Sequence, residues 1–264
     1  MKILYGTRFN DQGVSESIGF LLIFTIVIAG IGLVSLYGYP LLVQQQVSAD
    51  EKIMEKNMIV LQNDVKSLSY KTVPYKETSL KIGGGSLTVY NSSYSPSSST
   101  LTIYDSDPTH TYVTQFHPGE LRYESVSAQT DISLQNGAVV LRRHFELGST
   151  MLAEPRWFYD STKRTMVINL INITSTGIMA KEGIGTVRMR LGDTNYAYFP
   201  TPGQPITNPV FLTYTSDPAQ NYSVAWGNYF TNTLKMPPPV GATYRLPTVD
   251  TLVIKRYEVI IEAL

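Results

Sequence analysis

No charged residue occurs between Ile18 and Tyr39, and most positions in that run are Ile, Leu, Val, Phe, Gly or Ala. A helix rises about 1.5 Å per residue, so about twenty such residues cross a hydrocarbon core of roughly 30 Å. Apolar side chains would occupy every side of this helix, which fits lipid or a bundle of like helices. Pro40 follows; lacking an N–H and clashing with the preceding turn, it is expected to stop or kink the helix. Three readings of the run compete. A buried core helix is rarely apolar for so long. A cleaved secretory signal has a shorter apolar core, of about 7–15 residues, with small residues at the cut; here Tyr37-Gly38-Tyr39-Pro40-Leu41-Leu42 follows. A retained transmembrane helix accounts for both the length and the flank. Lys2 and Arg8 precede it, and the first Lys after it is Lys52. The positive-inside rule therefore places the N-terminus in the cytoplasm and Leu41 onward outside.

The residues leading into the run are specific. A short charged leader ends at Gly13, and Val14-Ser15-Glu16-Ser17-Ile18-Gly19-Phe20 follows. This resembles the class III signal of archaeal type IV pilins and archaellins. The resemblance implies cleavage by a membrane prepilin peptidase between Gly13 and Val14. Where many bacterial pilins carry a Glu, this chain has Ile18, and its nearest carboxylate is Glu16. The alternative is an uncut signal anchor. Within the run, Thr25, Ala29, Gly32 and Ser35 are spaced by four, three and three. That spacing aligns small residues on one helical face, where membrane helices can approach closely.

From Leu41 to Tyr70 the pattern becomes amphipathic. Val43, Val47, Met54, Met58, Leu61, Val65 and Leu68 recur at helical steps, with charges on the other face. About thirty residues would extend about 45 Å and lay this stripe against the domain that follows. After Pro74 the texture is β. Thr78–Ile82 and Ser86–Asn91 flank Gly83-Gly84-Gly85, read as a hairpin turn, and Ser92–Ser99 reads as a loop. Thr100–Tyr104, Glu120–Ser127, Asp131–Leu134, Ala138–Glu146, Gly185–Leu191 and Thr251–Ile261 read as strands. Gln135-Asn136-Gly137 reads as a turn, and Arg164–Ile173 as a central strand. Asp217-Pro218 has the form of an N-cap with Pro at the first helical position, so a short helix is expected at 218–234. The set Gly119-Glu120-Leu121-Arg122-Tyr123, Gln135-Asn136-Gly137-Ala138-Val139-Val140, Met151-Leu152-Ala153-Glu154-Pro155 and Trp226-Gly227-Asn228-Tyr229-Phe230 resembles a family of uncharacterised archaeal pilin-like membrane proteins. It implies location and architecture and supplies no reaction.

Composition narrows the chemistry. With 21 Lys+Arg against 21 Asp+Glu, there is no charge excess to attract nucleic acid. The chain has no Cys, which excludes disulfides, thiol catalysis and Cys-ligated zinc. Its 18 Tyr suit strands and half-wet surfaces. The three histidines are His110, His117 and His144. Their spacing to Asp105, Asp107 and Glu120 matches no zinc set, and they read as exposed or hydrogen-bonded. No nucleophile elbow, phosphate loop or calcium loop is present. Asn91, Asn172 and Asn221 each begin a sequon, permitted as glycosylation acceptors if the domain faces outward. Asn91, beside the Ser/Pro loop, reads as the most accessible and Asn172 as strand-bound.

The expected fold class is α+β. A charged leader (1–13), a transmembrane helix (14–40) and an amphipathic stalk (41–72) precede a mostly antiparallel, sandwich-like β domain (75–264). No catalytic, cofactor or metal residue is expected. The expected partners are the lipid bilayer, the prepilin peptidase and other pilin-like subunits. The function read from this is structural, a subunit of a surface filament. The alternatives are a membrane-tethered module that binds surface glycans or an envelope protein through a Tyr-rich face, and an anchored hydrolase.

Overall fold

The computed structural model describes residues 11–71, 73–92, 99–107 and 110–264, with side chains from Glu16 onward. Lys2, Arg8 and most of the expected Ser92–Ser99 loop lie outside the described residues. The chain divides into two units, Met1–Ser48 and Ala49–Leu264.

Helix α1 (Asp11–Leu33), one π-helical turn (Val34–Gly38) and helix α2 (Tyr39–Tyr70) follow one another without a break. Pro40 therefore does not stop the helix, one of the two outcomes expected of it; the irregularity beside it is a π turn. The π turn is the reason. A proline ring clashes with the carbonyl four residues back and supplies no N–H to it. Here the Tyr39 N–H already donates to Val34 O, five residues back, so the hydrogen-bond ladder has shifted before the ring arrives. In the first unit the side chains of this helix are exposed on all sides: Ile18 is 60 % exposed, Phe24 54 % and Leu36 71 %.

In the second unit the helical stripe is core. Met54, Met58, Leu61, Val65 and Leu68, at steps of four and three, are fully buried. Val43, expected in the same stripe, is 41 % exposed, so the buried seam begins only at Met54. It packs on a nine-stranded sheet through Leu87, Val89, Leu121, Ile132, Val187 and Ile261. Gln62 lies within the seam, and its amide donates to Gly137 O (2.7 Å) and Glu154 O (3.0 Å), so its buried N–H groups are satisfied.

The strands are β1 (Tyr75–Tyr90), β2 (Thr100–Tyr104), β3 (Thr111–Phe116), β4 (Glu120–Ser125), β5 (Thr130–Gln135), β6 (Ala138–Arg143), β7 (Ser149–Ala153), β8 (Phe158–Asp160), β9 (Thr165–Ser175), β10 (Met179–Phe199), β11 (Val210–Thr215), β12 (Thr243–Leu246) and β13 (Thr251–Ala263). The large sheet runs β7-β6-β5-β4-β1-β10-β13-β9-β8 and the small one β12-β11-β2-β3. All neighbours are antiparallel except β13 and β9. Alternation sends residues to two cores. On β13, Val259 and Ile261 face α2 while Leu252 and Ile254 face the small sheet. The result is helix on sheet on sheet, an α+β sandwich. β9 is not central; it pairs with β13 along its length and with β8 over only three residues.

Two local expectations change. Gly83-Gly84-Gly85 is not a hairpin turn. β1 continues through it and stays paired with β10 on both sides, Ile82 with Gly183 and Leu87 with Lys181, across a bulge. The glycines serve close approach: a Cβ on Gly83 would strike the Asp50 carboxylate of α2, and one on Gly85 the Glu124 carbonyl. The short helix α3 (Ser223–Asn228), extended by a π turn (Tyr229–Thr233), begins five residues later than Asp217-Pro218 implied. The Asp217 carboxylate accepts from Ala219 N (2.8 Å), closing a local turn that competes with capping.

Gly119 sits at φ +61°, and a Cβ there would collide with Ile173 O, in the crossing where Ile173 N donates to Pro118 O (2.7 Å). We expect Gly119→Ala to destabilise the second unit by about 2–4 kcal/mol, left-handed strain and backbone overlap acting together. The check is the urea midpoint of the detergent-solubilised chain. A midpoint equal to wild type would refute this reading of the crossing.

Candidate functional site

Helix α2 ends at Tyr70, and Pro74, which disfavours helical geometry at Val73, stands immediately before β1. The sheet extends further. Beyond the helix end, its α2-side face is laid out by register. Tyr196 pairs with Lys255, which pairs with Asn169. Tyr198 pairs with Val253, Val253 with Val167, and Val167 with Phe158. Laterally paired residues point to one side, so one row crosses three strands and the other four, about 14 Å of sheet. Among the described residues no helix covers their β10 and β8 ends, while Asn169 between them is buried. Tyr196 is 78 % exposed, Tyr198 55 % and Phe158 52 %.

Three clefts follow this face. The first, about 480 Å³, lies at the end of α2 between Lys66, Tyr70, Lys71 and Arg156. The second, about 290 Å³, shares Tyr70 and Arg156 with it and adds Ser69, Lys255 and Tyr257. The third, about 400 Å³, shares Lys255 and Tyr257 with the second and adds Thr194, Asn195 and Tyr196. No Asp or Glu lines any of them. Tyr70 and Tyr257 meet edge to face at 5.4 Å, and the Arg156 guanidinium lies 5.0 Å from the Tyr70 ring centre. Arg156 is held from its backbone: its carbonyl accepts from the Asn169 amide. Burial, and then the neighbouring Arg156, hold the Lys66 ammonium below its ordinary value. Burial, and then Tyr257, push the Tyr70 phenol up.

A second polar cluster lies on the opposite face of the large sheet and is enclosed. Arg122 donates to Glu120 and to Glu124 (2.9 Å), and its guanidinium sits 4.0 Å from the Tyr90 ring centre. Ser133 donates to Glu120. Burial opposes the charge on Arg122, but Glu120, Tyr222 and Glu124 together outweigh it and hold the guanidinium above its ordinary value. Glu120 and Arg122 are buried, and Glu124 stands at the solvent edge of the cluster.

The sequence-predicted residues fall as follows. Gly13 and Val14 lie within α1, with their side chains outside the described residues. On the small-residue face, Thr25 turns its hydroxyl back to Leu21 O (2.7 Å); Gly32 has open space around it. Ser35 lies inside the π turn, where the extra residue per turn takes it out of strict α-helical line with Thr25, Ala29 and Gly32. Asn91 is not the accessible sequon: it is 8 % exposed and its amide donates to Ser175 O (2.8 Å). Asn172 is half-buried in β9. Asn221 is exposed, its carbonyl oxygen accepting from Ser223 N (2.9 Å). His110 and His144 are engaged by carboxylates, at 3.3 Å from Asp105 and 2.9 Å from Asp131. Asp105 is itself a structural acceptor for Tyr112 OH (2.6 Å) and Thr207 N (2.8 Å). Among the described residues no three His, Asp or Glu side chains converge as a metal set. Sequence reasoning missed the aromatic–cationic face, because its members come from α2, β8, β9, β10 and β13.

Fold and site together define a class: a chain with one helix long and apolar enough to cross a membrane, leading into a helix–sheet–sheet domain with an uncovered aromatic–cationic face. Residues 12–211 match a family of unknown function, DUF7289, and the chain belongs to that family. No curated protein and no solved structure matches it.

Proposed function

We propose that this chain is a pilin-like, single-pass surface protein, a structural or minor subunit of a type IV pilus-like filament. One observation carries the reading. The helix is apolar and exposed on every side through Leu36, and without interruption it becomes the helical layer of the folded second unit. An all-round apolar helix needs lipid or copies of itself; one that is also part of a domain's core couples whatever surrounds it to that domain. The leader ending at Gly13 and the charge asymmetry of Lys2 and Arg8 support a cytoplasmic N-terminus and an outward domain. A second reading, a tethered module that does not polymerise, draws on the uncovered face near Tyr70.

Mass spectrometry of the native N-terminus in the producing cell tests the first reading. A chain starting at Val14, recovered partly in sheared surface material, is expected. A chain starting at Met1 and confined to membranes overturns processing and assembly together. Because the chain has no Cys, an Ala29→Cys variant adds an independent probe. Oxidation in intact membranes should link copies into ladders if these helices bundle, and leave monomers if the chain stands alone.

A further inference from the structure

We infer that the uncovered face beyond the end of α2 binds an extended carboxylated polysaccharide, a chain of uronate-type sugars running along the three joined clefts. The charge balance is the first argument. Lys66, Lys71, Arg156 and Lys255 make no ion pair among the described residues, while eight other Lys and Arg side chains of the chain do. No acidic side chain lines these three clefts, so four cations face open volume there; the acids of the adjoining cleft, Asp193 and Glu258, lie beyond Asn195 and Tyr257 and stand beside Arg256. Lys66 and Arg156 are close enough to oppose each other's charge. The nearby carboxylate of Glu154 is turned to the Thr233 hydroxyl (2.7 Å). An anion laid between them would relieve that repulsion.

The second argument is shape and surface. The clefts are contiguous, so the ligand is long, and they lie on a flat sheet face carrying Tyr196, Tyr198 and Phe158 in the open. Tyr196 in the third cleft and Phe158 in the second suit the apolar faces of sugar rings, while Thr194, Asn195 and Asn63 offer groups that pair with hydroxyls. Ser69 adds a hydroxyl 7 % exposed and without a hydrogen-bond partner at the wall of the middle cleft. Arg156, with its side-chain donors unused and its plane near Tyr70, matches a planar carboxylate.

Two rival occupants fit less well. A second copy meeting this face symmetrically would bring the four cations against themselves. A nucleic acid draws its affinity from many phosphate contacts, and here hydroxyl and amide groups outnumber the cations.

The inference rests on the outward orientation proposed above for its biological setting, but its binding test does not. Full-length protein in nanodiscs of neutral lipid is titrated with polygalacturonate, neutral dextran, dextran sulfate and a single-stranded oligonucleotide. Polygalacturonate is expected to bind and dextran not to. Arg156→Gln and Lys255→Gln should each weaken binding about tenfold or more, the worth of a charged hydrogen bond. Tyr196→Ala, at an exposed position that leaves the fold intact, should weaken it about fivefold, in line with one lost ring contact. Failure of polygalacturonate to bind overturns the inference. So does equal binding of the sulfated polymer or the oligonucleotide with no effect of Tyr196→Ala, which would mark a simple charge trap. Self-association abolished by the same substitutions, without polysaccharide binding, assigns the face to a second copy and also overturns it. Binding together with a Met1 N-terminus in the cell would leave this inference standing while removing the filament reading.

Discussion

Replacing Arg122 with methionine is expected to destabilise the second unit by about 3–5 kcal/mol, because it strands a buried carboxylate. Leu121 and Tyr123 point beneath α2, so β4's alternation sends Glu120, Arg122 and Glu124 to the other face. Glu120 is 7 % exposed and Arg122 5 %. Their desolvation is offset by each other, by Glu124, by Ser133 and by the Tyr90 ring. Methionine fills much of the volume and removes every donor. Lysine keeps a charge but cannot bridge two carboxylates with a planar fork, so Arg122→Lys should recover only part of the loss. The measurement is a urea titration followed by tryptophan fluorescence. The double variant Arg122→Met with Glu120→Gln should be more stable than Arg122→Met alone, since it no longer buries an unpaired charge. An Arg122→Met midpoint at the wild-type value would mean that this network is not a structural determinant.

Trp226→Ala is the second large effect, expected at about 3–5 kcal/mol, the usual cost of an aromatic cavity that cannot collapse. Trp226 is 1 % exposed at the centre of the core between the sheets. Its ring lies 5.4 Å from Tyr214, 5.6 Å from Phe230, 5.8 Å from Trp157 and 6.1 Å from Tyr229. Those partners come from β11, from α3 and its π turn, and from the segment before β8, so the cavity would open among three elements at once. At about 2–4 °C per kcal/mol for a domain of this size, thermal unfolding should fall by roughly 10 °C. Trp226→Phe should lose far less. It keeps the ring contacts and deletes an indole N–H that has no acceptor, whose burial is itself unfavourable. Equal losses for the two variants would show that indole size, and not aromatic filling, holds this core.

Several elements were legible before any coordinates. The seam Met54, Met58, Leu61, Val65, Leu68 follows from a 3.6-residue period, and period alone marks its burial. The turn at Gln135-Asn136-Gly137 and the strands around it follow from local chemistry. Val43 looked like part of the same seam because its spacing is identical, yet it is 41 % exposed: a period marks the apolar face of a helix and does not set where along it burial begins. Gly83-Gly84-Gly85 reads as a turn in any local scheme. What makes it a bulge is the presence of Asp50 and Glu124, which are distant in sequence. Asn91 looked exposed beside Ser and Pro, until Ser175 from a different strand took its amide. β3, β11 and β12 passed unread because the short sheet they build is decided by pairing.

From its residues alone this chain was committed to an apolar helix from Ile18 to Tyr39 long enough to cross a membrane, to an amphipathic continuation, and to a β domain held without disulfides. Those are properties of periodicity and transfer free energy, which act on a segment wherever it lies. The face that carries Arg156, Lys255, Tyr196 and Tyr257 is of another kind. It exists because α2 stops at Tyr70 while the strands beneath it run on. Strand register is a relation between distant segments, and only the folded chain sets it.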